Sequence, residues 1–389
     1  MPEGPWWDHL ESNFYARPEG FELEPWDWFR VSGTAAMDVA LRTAAGSLLT
    51  TLAIPTGFNP ITLKKAMDEK SMYEDIADAR DPDKFFIQPP RDVPMKWRAP
   101  KTPHFKPEDA GICEDLTFES PFEPFNPRLR KSYMANTGNS RAIARFWRHG
   151  DKPRPTLVAV HGFMADPYWV NEWFFALPWM YHTLGCDVML YILPFHGARQ
   201  SKLSPFSGHG FFAHGISWMN EAFRQAVHDF RVFMNFLEDN MGVEKIGVTG
   251  VSLGGFTSAL LASVEPRLHF AVPNVPVVSL PDIVLEWQPL GSLARAAMFA
   301  MRKSVKEMRH MLAVTCPLTY KPVLPKERLM IIGGVGDRLA PPKHSRILWD
   351  HWGRPRIHWF PGNHILHLDK GAYLKEMARF MTDTGFLEK

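Results

Sequence analysis

Ser252 stands at the centre of GVTGVSLGGFTS (residues 247–258), with Gly250 two places before it and Gly254 two places after it. A Gly-x-Ser-x-Gly string is common enough that its setting decides what it can do. The run KIGVTG (245–250) reads as a short apolar strand and GGFTSALLASVE (254–265) as a helix, so the serine sits at the carboxyl tip of a strand where the chain turns sharply. Such a turn strains the central residue and crowds the positions two away, which is why glycine is the residue type needed there. It holds the hydroxyl out above the sheet edge. The amino end of the new helix adds backbone donors and a dipole that favours a developing anion. The alternative is a structural or phosphate-cradling turn, but the string lacks the GxGxxG or Walker spacing.

A serine hydroxyl is a weak nucleophile without a base, and the base needs an orienting carboxylate. Asp337 lies in VGDRLAPP just past the apolar run RLMIIGG (328–334), and His364 lies in PGNHILH just past RIHWF (356–360). Both therefore follow strands at their carboxyl ends, where open α/β sheets place their sites. Asp282, in LPDIV after LHFAVP, is the alternative acid; Asp337 is preferred for the glycine-containing turn that carries it. His367 is the alternative base, but it lies about one helical turn beyond His364, which is in the loop itself. The HxxH spacing of these two histidines lacks the glutamate of HExxH and a third nearby ligand, so no metal site is expected.

The elements that must position these residues are legible as periodicity. Short apolar runs at TLVAVHG (156–162), CDVMLYI (186–192), 245–250, LHFAVP (268–273), 328–334 and 356–360 alternate with helix-length amphipathic segments, the signature of a parallel sheet with crossover helices. ICEDLTFES (112–120) and SRAIARFW (140–147) alternate like additional strands. In EAFRQAVHDFRVFMNFLED, Phe223, Val227, Phe230, Met234 and Leu237 recur at three-to-four spacing, predicting one helix face on the sheet. More than fifty residues separate LHFAVP from RLMIIGG, too many for an ordinary crossover, so residues 276–325 are assigned to a helical cap or lid. Residues 1–110 form an extension: two helical segments over 33–80, broken at PTGFNP, then a stretch whose frequent prolines predict an extended strap. The core is expected in residues 111–275 and 326–389.

From about residue 112 onward the chain resembles the α/β-hydrolase superfamily. The features that carry the resemblance are HGF (161–163), PFHGARQ (194–200), GVSLGG (250–255), GVGDRLAPP (334–342) and PGNH (361–364), in this order. It implies an α/β-hydrolase fold: a mostly parallel sheet flanked by helices, here with an inserted cap and the N-terminal helical and extended extension. It implies a nucleophile elbow at Ser252, a catalytic triad of Ser252, Asp337 and His364, and an oxyanion hole formed by the backbone N–H groups of Phe163 and Leu253. A serine nucleophile excludes the dehalogenase and soluble epoxide hydrolase chemistries that use aspartate. The expected activity is hydrolysis of a carboxylic ester, with lipid-like acyl, thioester or amide substrates as alternatives on the same triad and no cofactor. A non-catalytic binding protein on this fold is the alternative from another class. Where many relatives carry an acidic residue after the second parallel strand, this chain has LPFHGAR, making His196 either substrate-facing or a structural turn histidine. The extension has no counterpart in a minimal hydrolase domain.

Composition narrows the rest. With 45% hydrophobic and 22% charged residues the chain can bury a large core, and 389 residues exceed what one core usually needs. A net charge of +2 with no basic run gives nucleic acid no footprint. Three scattered cysteines, Cys113, Cys186 and Cys316, suggest neither a disulfide framework nor a zinc knuckle. The first twenty residues lack the basic start and apolar block of a secretory signal, and Asp38 and Arg42 interrupt the most lipid-like stretch, Val31 to Pro55. A cytoplasmic location is expected, with a small ester or lipid-like molecule as partner. Membrane-surface contact is not predicted, and self-association through the extension is left open. Aromatic residues make up 13% of the chain, with 14 tryptophans, which serves a bulky apolar ligand or simple core packing equally well.

Overall fold

Strands covered on both faces are mostly apolar, and all but the last of the six parallel-strand runs above form strands buried throughout. The computed structural model describes residues 4–10, 25–107, 111–164 and 167–388. It contains a nine-stranded sheet: β1 (Lys96–Arg98), β2 (Ile112–Glu119), β3 (Arg141–Arg148), β4 (Thr156–Val160), β5 (Asp187–Tyr191), β6 (Ile246–Val251), β7 (Phe270–Asn274), β8 (Met330–Gly334) and β9 (Arg356–Phe360). Their spatial order is β1-β2-β3-β5-β4-β6-β7-β8-β9. Pairing is antiparallel from β1 through β3 to β5 and parallel from there to β9. Alternate side chains serve two cores: Val158 and Val160 of β4 pack on one face of the sheet, Leu157 and Ala159 on the other.

The strap differs from the sequence expectation in one respect. Lys96–Arg98 pairs with β2, Lys96 opposite Thr117, so the sheet begins inside the segment assigned to the extension. Three residues between Pro94 and Pro100 are enough for an edge pairing but too few to show as a periodic pattern. The expected boundary at residue 110 falls on residues outside those described.

The helix Ile216–Asp239 differs more. The sequence predicts one buried face, yet every residue from Ile216 to Leu237 is buried. The strap and the segment that follows β2 cover the second face, and helix side chains satisfy backbone groups there that have no ladder partner. Arg224 donates to the carbonyls of Phe85 (2.6 Å) and Glu123 (2.5 Å), and Arg231 donates to that of Phe86. Glu221 accepts from the N–H groups of Phe125 (2.9 Å) and Asn126 (3.0 Å) and from the Tyr73 hydroxyl (2.9 Å). Polar residues on this helix therefore mark the face that grips the strap, not a solvated one.

Three helices, Leu280–Glu286, Leu290–Ala300 and Val305–Met311, lie between β7 and β8, within residues 276–325. The extension supplies the helices Pro25–Leu52 and Pro60–Ala79, the second capped by Asn59, whose Oδ1 accepts from the N–H groups of Ile61 and Thr62 at 3.0 Å each. Gly46 of the first approaches the cap so closely that an added Cβ would stand 2.7 Å from the carbonyl oxygen of Gln288. Among the described residues no helix is long and apolar enough to cross a membrane.

Glu221→Ala should lower the unfolding free energy by about 2 kcal/mol or more, because it leaves the buried Asn126 N–H and the half-buried Phe125 N–H without an acceptor, at about 1–3 kcal/mol for a buried donor, and leaves the Tyr73 hydroxyl only the longer contact to the Ser217 carbonyl. Arg91→Ala, which removes a surface pair with Glu238 and Asp239, should leave the unfolding free energy close to that of wild type, because solvent screens exposed pairs. Urea denaturation of the two variants measures the contrast.

Candidate active site

Ser252 joins β6 directly to the helix Leu253–Val264 with φ 57° and ψ −109°, a conformation that a residue with a side chain adopts only under strain. The turn is held by its backbone: Ser252 N–H donates to the Asn274 carbonyl (3.1 Å) and the Ser252 carbonyl accepts from Phe256 N–H (2.8 Å). The flanking glycines are explained by close approach. A Cβ on Gly250 would collide with the carbonyl of Gly254, and one on Gly254 with that of Val160 at the end of β4. The two strand ends and the helix start are thus in backbone contact around the serine.

The turn after β4 lies alongside. His161 is fully buried; its Nδ1 donates to the Gly162 carbonyl (2.8 Å) and its Nε2 accepts from Leu193 N–H (3.0 Å), which fixes the turn to the loop after β5. A Cβ on Gly162 would stand 3.5 Å from the Cβ of Ser252. Among the described residues, neither Phe163 N–H nor Leu253 N–H has a hydrogen-bond acceptor. Two donors without internal partners at the edge of a cavity, one at a helix amino end, are suited to an oxyanion.

Asp337 and His364 meet at 2.6 Å, Oδ2 to Nδ1. The other carboxylate oxygen of Asp337 accepts from the N–H groups of Leu339 (2.9 Å) and Ala340 (2.7 Å), so the side chain is pinned by its own loop. Burial would lower the basicity of His364. The charge on Asp337, the hydrogen bond to it and the charge on Asp38 outweigh burial and hold the imidazole above its ordinary value. Among the hydrogen bonds of the described residues there is none between Ser252 Oγ and His364 Nε2.

The alternatives are engaged elsewhere. Asp282 is buried against Arg309 (2.9 and 2.5 Å) and accepts from the Ser279 hydroxyl (2.5 Å). His367 is packed among Phe360, Tyr373 and Phe174, and burial pushes its pKa down to about 3. His196 is fully buried with Nδ1 donating to the Pro194 carbonyl (2.8 Å), and its ring meets those of His161 and Phe163 edge-on. Burial and then the neighbouring His161 push its pKa well below the usual value, as suits a structural turn histidine. No group of three or more potential metal ligands occurs among the described residues.

Ser252, Leu253 and Phe163 line a cavity of about 450 Å³. Its other walls are apolar and come mainly from three parts of the chain: Leu49, Phe58 and Leu63 from the extension, Ile216 and Met219 from the long buried helix, and Leu285, Trp287 and Met298 among others from the helical insertion between β7 and β8. The extension's share in this wall has no sequence signal beyond its apolar character. The extension also reaches the loops of Asp337 and His364, through Thr34, Asp38 and Arg42.

A family model described as the alpha/beta hydrolase fold matches residues 155–272, from the start of β4 through most of β7. Uncharacterized proteins from two strains of Mycobacterium tuberculosis are 31% identical over 315 residues, covering 79% of this chain and 71% of theirs. Among solved structures, acetyl xylan esterase 1 from Thermoanaerobacterium sp. JW/SL YS485 is similar with a TM-score of 0.55 at 16% identity, covering 80% of this chain and 93% of that one. An acetyl xylan esterase from Paenibacillus sp. R4 also gives a TM-score of 0.55, at 13% identity, over 80% and 94% of the two chains. The strand order, the strained serine between β6 and its helix, and these likenesses agree that the chain belongs to the α/β-hydrolase superfamily.

Proposed function

We propose that this protein is a serine hydrolase that cleaves carboxylic esters with a hydrophobic acyl group. The observation that carries the reading is the cavity, in which, among the described residues, the Ser252 hydroxyl is the only side-chain oxygen in an otherwise apolar lining. Its volume of about 450 Å³ falls in the range of about 300–1,000 Å³ typical of sites that enclose small organic ligands. An acetyl group, as carried by the substrates for which the two structural neighbours are named, would leave most of that space empty.

The proposed cycle uses these groups in turn. His364 takes the proton from Ser252 Oγ as the oxygen attacks the ester carbonyl carbon, and Asp337 stabilises the imidazolium. The carbonyl oxygen becomes an oxyanion facing the N–H groups of Leu253 and Phe163. The intermediate collapses when His364 gives its proton to the departing alkoxide, leaving the acyl group on Ser252. Water, deprotonated by His364, then attacks the acyl carbon; the acid leaves and the serine regains its proton. The cap and the extension enclose the acyl chain, so binding energy grows with the length of that chain.

Graded p-nitrophenyl esters test the pocket. kcat/KM should rise at least about tenfold from acetate to octanoate, since each buried methylene is worth about 0.8 kcal/mol, and Ser252→Ala should abolish turnover of both; a preference for acetate would reject the hydrophobic acyl assignment. The pH profile tests the base. His364 acts only when neutral and its pKa is raised above 6.5, so kcat/KM should be lost as pH falls through a midpoint above 6.5. Asp337→Asn should lower kcat by orders of magnitude, whereas Asp282→Asn should act mainly on stability through its pairing with Arg309.

A further inference from the structure

The N-terminal helix Pro25–Leu52 places Thr34, Asp38 and Arg42 at four-residue spacing, on one face. All three bond to the two loops that carry Asp337 and His364. The Thr34 carbonyl accepts from Asn363 Nδ2 (2.8 Å), and Arg42 Nη1 donates to the Arg338 carbonyl (3.1 Å). Between them, a single oxygen, Asp38 Oδ2, accepts from both Arg338 N–H (2.9 Å) and His364 N–H (2.9 Å). Those donors belong to the residue after the proposed acid and to the proposed base itself. The approach depends on Gly336, where an added Cβ would stand 2.7 Å from Val31 Cγ1 on the same helix.

We infer that Asp38 is a positioning residue of the hydrolytic site: it fixes the distance between the loops of Asp337 and His364 and places a second carboxylate beside the imidazole. The inference rests on the triad reading above.

Asp38 is fully buried. Burial first, and then the charge of Asp337, raise its carboxyl from 3.8 to about 6, against the two backbone donors and His364. The unfolded chain thus loses this proton at lower pH than the folded chain does, so the ionised group lowers stability as pH rises from about 4 to about 6. Packing alone therefore gives no reason for a carboxylate here. An imidazolium forming at His364 does, because its positive charge is stabilised by both carboxylates. The other charged groups around the pair are Arg42 on the same helix, Arg338 on the acid loop, Glu286 of the cap facing Arg42, and His367 beyond His364.

The test compares full-length wild type, Asp38→Asn, Asp38→Ala and, on the exposed side of the same helix, Thr43→Ala. Asparagine keeps an acceptor for the two N–H groups and removes the charge. Asp38→Asn should remain folded, lower the His364 imidazole midpoint in NMR titration by at least about half a pH unit, and move the acid limb of the fluorophosphonate labelling rate down with it. Asp38→Ala should in addition cut kcat at least about a hundredfold with KM changed less than about threefold, as expected when a catalytic group is misplaced. Thr43→Ala should match wild type. An unshifted His364 midpoint in folded Asp38→Asn, or unfolding of Asp38→Asn itself, would overturn the inference in favour of a purely structural clamp. Failure of wild type to label would instead reject the hydrolase reading, while the NMR midpoint would still decide the role of Asp38.

Discussion

The reversal of the chain at Ser252 is the constraint on which the site depends. A strand becomes a helix within one residue, and the backbone carbonyls of Gly254 and Val160 occupy the space where side chains at 250 and 254 would stand. That contact draws the ends of β6 and β4 together around the hydroxyl and leaves the first N–H of the helix without an internal acceptor. The strain at φ 57° is sustained because the helix and the neighbouring β7 both hydrogen-bond the Ser252 backbone.

Around that turn the protein assembles a site from distant segments. The sheet supplies the loops of Asp337 and His364; the cap between β7 and β8 and the extension before β1 supply most of the apolar wall. The extension is integral to this arrangement. One helix of it lies against the loops of Asp337 and His364 through Thr34, Asp38 and Arg42 and against the insertion between β7 and β8 through Gly46, and its carboxyl end contributes Leu49 to the cavity. The proposed chemistry and the proposed substrate class thus share one scaffold: the helix that positions the polar groups also shapes the pocket for the acyl chain.

The sequence was legible where physics is local. β2 through β9 appear as apolar or alternating runs, because strands buried on both faces or one face carry their pattern in consecutive residues. Asp337 and His364 each follow such a strand, which is why they stand out in the sequence, and their side chains lie 2.6 Å apart. What was not legible depends on contacts across the chain. β1 is too short and too close to prolines to show a period. The helix Ile216–Asp239 reads as amphipathic although it is buried on all sides, since arginine and glutamate there bind the backbone of the strap. Asp38 reads as an interruption of an apolar helix, and only the fold brings it to loops some three hundred residues away.

The central claim is that Ser252 is the nucleophile, and the most direct measurement is peptide mapping by mass spectrometry after reaction of the folded protein with a fluorophosphonate carrying a long alkyl chain. The account predicts one stoichiometric adduct on Ser252, absent from Ser252→Ala and formed faster than with a short-chain analogue. A folded wild-type protein that gives no adduct, or one that carries it on another residue, would contradict it.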